Sequence, residues 1–164
     1  MQIKRVIPRT LTFTPEGGTA VTFEQFQEQV SFSTTDTFGD MVSQADLMVT
    51  GRFKTAHSAS LRTVVKSFTT EEWASIAGLK YIAGTDTVEG NPTWKTNYGK
   101  VVLVGYDTEV DKEIVITINR TVPAVSGDIN FSKDNEVTLG LEFVAMALAD
   151  GSAAYTFTHR AVNP

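Results

Sequence analysis

The chain offers few residues that can do chemistry. It has two histidines, His57 and His159, and no cysteine. A three-histidine zinc site is therefore beyond one copy of the chain. Disulfides, thiolate metal sites and a cysteine nucleophile are also excluded. Ser58 stands beside His57, but neighbours on a strand point to opposite faces, so the two do not make a nucleophile and its base. Asp107, Glu109, Asp111 and Glu113 alternate, and in an extended chain all four point one way. They lack the loop glycine and the bidentate glutamate of a calcium loop, and they read as a solvated hairpin turn. No Gly-x-Ser-x-Gly elbow, phosphate loop, dinucleotide fingerprint or His-Glu-x-x-His occurs. Asn119-Arg-Thr and Asn130-Phe-Ser match glycosylation acceptors, which mean nothing without a secretion signal. The expectation is a protein that is not an enzyme and uses no cofactor and no metal.

Two tryptophans remain as possible binding residues. Trp73 reads as the core anchor of a helix. Trp94 sits in a loop of Gly, Asn and Pro, where it reads either as an interface aromatic or as a plug beneath the loop.

The charges are unevenly spread. The 164-residue, 17.9 kDa chain carries a formal charge of -5 and has a pI near 5.0. Lys4, Arg5 and Arg9 open it, and no Lys or Arg follows between Thr10 and Gly51. That stretch carries Glu16, Glu24, Glu28, Asp36, Asp40 and Asp46. It reads either as a solvated acidic face or as a surface that repels an anion or meets a basic partner. An acidic domain does not grip DNA through its phosphates. No apolar run approaches the length of a membrane span, and Met1-Gln2-Ile3-Lys4-Arg5 lacks the apolar core of a signal peptide. Synthesis in the cytosol is expected.

The elements that must carry these residues are mostly strands. Leu11 and Phe13 alternate with threonines, and the turn Pro15-Glu16-Gly17-Gly18 leads into Val21-Thr22-Phe23 as a hairpin. Residues 23–33 continue extended. Residues 34–46 show no clean period and read as a long loop or arm. Its Phe38, Met41 and Val42 read either as a docking surface or as side chains folded back on their own domain. Leu47, Val49, Gly51 and Phe53 alternate with Met48, Thr50, Arg52 and Lys54, the pattern of a half-buried strand. Residues 60–68 read as a strand. Thr69-Thr70-Glu71-Glu72 then forms a capping box, and Gly78 is a natural stop. Residues 101–106 are apolar on both faces, as in a central strand. Val137 to Ala145 is a long strand, and Ala149-Asp150-Gly151-Ser152 reads as a hairpin turn into Tyr155–His159. The sum is a single domain over residues 1–164, mainly β, a sandwich or barrel with one short α-helix at about 70–78.

The order of these elements resembles the major tail tube proteins of long-tailed, non-contractile (siphovirus-like) bacteriophages. The likeness is carried by the opening hairpin, the 34–46 segment and the strand "DLMVTGRFKTA". "LRTVVKSFTTEEWASIAG" matches a strand-then-helix segment, and "NEVTLGLEFVAMALADGSAAYTFTHR" matches a closing hairpin. The resemblance implies two packed β-sheets flanked by one helix. It implies subunits that self-assemble into stacked, usually hexameric rings, a hollow tube that conducts the genome during ejection. The same fold occurs in tubes of contractile tails and type VI secretion systems. Implied partners are further copies of the chain and other tail proteins (tape measure, terminator, distal tail), with DNA as non-sticking cargo and no membrane. The implied location is the virion tail, assembled in the bacterial cytoplasm. On this reading Phe38, Met41 and Val42 are the inter-ring contact. Glu24, Glu28, Asp36 and Asp40 face the lumen, and Trp94 is an interface aromatic. The alternatives are another β-rich virion component (tail terminator or capsid decoration protein) and a monomeric β-sandwich ligand-binding module.

Overall fold

The computed structural model describes residues 5–27, 29–45, 47–91, 96–126 and 137–162. The strands in chain order are β1 (Val6–Pro15), β2 (Val21–Phe23), β3 (Ser31–Val42) and β4 (Val49–Lys66), followed by helix α1 (Thr70–Ala77). Next come β5 (Lys80–Ile82), β6 (Thr87–Glu89), β7 (Gly99–Asp107) and β8 (Lys112–Thr121). The last are β9 (Pro123–Ser126), β10 (Thr138–Val144) and β11 (Tyr155–Ala161). They form a five-stranded sheet in the order β11-β8-β7-β1-β2 and a four-stranded sheet in the order β3-β4-β10-β9. A small β5-β6 ribbon stands beside them. Every strand pair is antiparallel.

Period-two patterning places the core between the two larger sheets. Leu11, Phe13, Val101, Leu103, Ile116 and Ile118 face inward from the first sheet. Leu61, Val65, Leu139, Leu141 and Phe143 face them from the second. The Phe13 and Phe143 rings meet across the interior at 6.0 Å between centroids. Burying a side chain of this size contributes about 1.5–3 kcal/mol.

The opening hairpin and the helix follow their local signals. Gly17 takes a left-handed φ of 76° in the first turn, where Gly18 N–H donates to Pro15 O at 3.1 Å. Glu72 N–H donates to Thr69 Oγ1 at 3.1 Å, and Thr69 N–H donates to Glu72 Oε2 at 2.7 Å, which completes the capping box. Gly78 closes the helix at φ 69°. The Asn97 amide reaches back to Ser75 O at 2.7 Å and covers a carbonyl the helix leaves open. Trp73 is half-buried and packs against the core.

Of the two readings of residues 34–46, the arm holds: residues 34–42 are the outer part of β3, paired with β4 along a single hairpin. Two other expectations are corrected. Residues 49–54 are a strand but not a half-buried one, because among the described residues no second layer covers them. The closing segment is not a β10–β11 hairpin. Its turn forms, with Gly151 at φ 73°, but β10 lies in one sheet while β11 crosses over to pair with β8 in the other.

The acidic segment is a hairpin turn with Glu109 and Asp111 exposed, as expected, but its flanks are not solvated. Left-handed Asp111 (φ 53°) breaks the period-two alternation. Asp107 at the end of β7 is fully buried, and its carboxylate accepts the Glu109 N–H at 3.2 Å. Glu113 is buried too, 3.2 Å from Arg160.

Candidate functional site

Two features stand out from the packed body: an arm and a groove. The arm is the outer part of the β3–β4 hairpin. Ala59 is the last buried residue of β4. From Ser58 out to Val49, Gly51 is the only residue that is not exposed. At about 3.3 Å per residue, the free part of the hairpin reaches on the order of 30 Å beyond the body.

The register divides the arm into two faces. Asp36, Phe38 and Asp40 lie with His57, Lys54 and Arg52 on the face that continues the sandwich interior. Arg52 Nε bonds Asp40 at 2.8 Å, and Lys54 Nζ sits 2.9 Å from Asp36. The Arg52 guanidinium also lies over the Phe38 ring, 5.7 Å from its centroid. Gly39, Met41, Gly51 and Phe53 form the other face. There the Phe53 ring lies so close over Gly39 that a Cβ would meet it at 2.7 Å. Aromatic cover of this kind supports a glycine in a strand. Two bulges, at Thr37/Phe38 and Met41/Val42, add twist.

The tip is apolar and strained. Leu47 has a φ of 58°, uncommon for a side chain that is neither Gly nor Asn. It is also 81% exposed. Its N–H donates to Ser43 O at 3.0 Å, and Ser43 N–H donates to Met48 O at 2.8 Å. Phe38, Met41, Val42, Met48, Val49 and Phe53 are all about half exposed or more. A run of exposed apolar side chains this long on a thin element is a candidate interaction surface.

Where the arm leaves the body, His57 ties it to the opposite sheet. His57 Nδ1–H donates to the Asp36 carboxylate. That contact fixes the ring proton, and Nε2 lies 2.8 Å from the Tyr155 hydroxyl. Tyr155 stacks on His57 and meets Phe32 edge-on at 5.4 Å. The hydrogen bond from His57, then that from Lys54, holds the Asp36 carboxyl below its ordinary value. The hydroxyl at the far end of this line is a phenol, and Ser58 belongs to the other face of the strand.

The groove opens at the foot of the arm, where the interior of the five-stranded sheet runs past the end of its cover. It has a volume of about 320 Å³ and is lined by Val6, Pro8, Val30, Phe32, Ile114 and Phe157 among others. Val6 and Phe157 are 41% and 45% exposed.

The two sides of the sandwich are unequal. Helix α1 packs on β9, β1 and β2, so it covers the side where the short strands β2 and β9 end the sheets. On the other side β11 and the whole of β3 have no further strand beside them among the described residues.

The expected site residues fall in different places. Phe38, Met41 and Val42 share the arm. Asp36 and Asp40 lie on the arm too, each matched by a cation on β4. Glu24 is exposed far from them, in a shallow hollow with Lys66 and Glu72. Glu28 and Trp94 lie outside the described residues. Leu47, Met48, Phe53 and the His57–Tyr155 contact were not singled out in the sequence. Hydrophobicity alone marks Leu47 and Phe53, but their period conceals that both are exposed. Among the described residues, no group of three His, Asp or Glu is placed to hold a metal ion, and no helix is long and apolar enough to cross a membrane.

A two-sheet antiparallel fold with one capping helix and one long hairpin arm is thus the class the geometry defines. Among solved structures, a chain in the cryo-electron microscopy structure of the anti-feeding prophage baseplate, symmetrised six-fold, is similar in fold. The TM-score is 0.53 at 12% identity, with 100% of both chains covered. No family model and no curated protein sequence matches the chain.

Proposed function

We propose that the chain is a structural subunit of a phage tail or related injection machine, which self-assembles into stacked rings that form a hollow tube. The observation that carries this reading is the arm, a hairpin with apolar side chains on both faces and at its tip and no cover among the described residues. An isolated two-stranded hairpin is marginal in water, and such a surface is a liability unless a partner takes it up. The unpaired side of the sandwich supports the same reading, because ring closure removes free sheet edges. The likeness to a baseplate chain in a six-fold assembly supports rings, and six-fold rings in particular.

In this role the subunit needs no catalytic residue, and the whole chain acts as one structural domain. Its partners are other copies, with tape measure, terminator and distal tail proteins at the ends of the tube. It resides in the virion tail after assembly in the bacterial cytoplasm. DNA passes as cargo: a net charge of -5 repels phosphate, the reverse of a nucleic-acid grip. The charges of Asp36 and Asp40 are met by Lys54 and Arg52, so they contribute little to that repulsion.

A second reading, a baseplate ring that does not extend into a tube, is favoured by the same baseplate likeness. Negative-stain electron microscopy of the purified protein, dilute and then concentrated, tests both. Hollow tubes of constant diameter are expected. Single rings at every concentration would favour the baseplate reading, and dispersed monomers alone would overturn self-assembly.

A further inference from the structure

We propose that the groove at the foot of the arm is the receptor for the arm of a second copy of this chain. The inference rests on the self-assembly reading and names the two surfaces that meet. The arm cannot fill its own groove. Phe32 lines that groove, and β3 runs straight from it to Val42 with no turn before Ser43. The chain's own tip is therefore on the order of 30 Å away. The two surfaces are alike in chemistry: exposed Phe, Met, Leu and Val on one, and exposed Val6 and Phe157 over buried Ile114 and Ile116 on the other. A groove of about 320 Å³ takes one or two anchoring side chains. The rest of the arm can lie along the exposed mouth. A standard interface draws about 20–30 residues from each partner, and Asp36 to His57 falls in that range. Pairing Asp36 and Asp40 with Lys54 and Arg52 leaves Asp46 as the arm's one remaining formal charge, so the arm is close to neutral and an acidic neighbour repels it little.

Arm and groove are different patches, so the contact is head-to-tail. It leaves a free arm at one end of every pair and a free groove at the other, and growth continues.

Sedimentation velocity on the full chain tests this with two variants. Met41→Asp with Phe53→Asp spoils the arm, and Val6→Asp with Phe157→Arg spoils the groove. All four side chains are at least 41% exposed, and circular dichroism checks that the fold survives. Each variant alone is expected to lose self-association by at least about tenfold. Mixed, they retain one sound arm and one sound groove, so a one-to-one dimer that grows no further is expected. A groove variant that assembles like the parent would overturn the inference and leave the tube reading standing with the arm docked elsewhere. The absence of a mixed dimer would overturn it as well. A parent chain that stays monomeric at all concentrations would remove both. Should the groove variant unfold, the cysteine-free chain permits a second route. Met48→Cys and Val6→Cys proteins, mixed with diamide as the two-electron thiol oxidant, should form a mixed disulfide dimer faster than either forms its own. Equal rates would overturn the inference.

Discussion

The body and the arm are made of the same kind of residue in the same alternating order, yet they are held together differently. In β7 and β8, Leu103 and Ile116 face a second sheet and are nearly closed to water. In the arm, Phe38 and Phe53 occupy equally regular strand positions with about half their surface in water. The body is stabilised by burial. The arm is stabilised by its hydrogen-bond ladder and the Phe53 ring on Gly39, and its two exposed ion pairs add little. Strand pattern alone therefore does not say which face will be covered, or by what.

The largest effect should come from the body. Phe143→Ala removes a fully buried ring and should cost about 3–5 kcal/mol in urea unfolding. A loss below about 1 kcal/mol would mean that the two sheets do not share the core described. Thr69→Ala removes the helix cap and should cost about 1 kcal/mol in the same assay. Phe53→Ser, on the arm, should leave monomer unfolding within about 0.5 kcal/mol of the parent while weakening self-association. A large stability loss there would erase the distinction between the two regions.

Acid should produce the smallest change. Asp36 has a folded pKa below its reference of 3.8, chiefly through His57 and then Lys54. Its contribution is therefore complete above the unfolded value and is lost as pH falls through the lower folded value. Protection of the Asp36 and His57 amides, taken as exchange relative to the intrinsic rate at each pH, should fall only below pH 3.8. A loss of protection near neutrality would point to a different group.

Much of the body was legible because its signals are local. Thr69, Glu72 and Gly78 announce the helix within ten residues, and Pro15 to Gly18 announce the first turn. The arm was only half legible. Residues 34–46 were marked as unusual, but their pairing with 49–58 depends on register across a turn. The stretch without cations, Thr10 to Gly51, suggested a bare acidic face. Arg52 and Lys54, just past its end, fold back onto Asp40 and Asp36. His57 meets Tyr155 across 98 positions, a separation over which no sequence pattern speaks. The turn at 149–152 was legible as a turn but not as a crossover, because the choice of partner belongs to the sheets and not to the turn.

β4 is one unbroken strand of 18 residues, from the free end of the arm to the centre of the second sheet. Its inner third is bonded to β10 from Ser60–Val144 to Lys66–Thr138. A pull on the arm along its axis therefore loads that ladder in shear, so that the rungs resist together and do not unzip in turn. The same pull sideways would bend the hairpin at Ala59, where the backing sheet ends. A chain held by this arm is stiff along one direction and compliant across it.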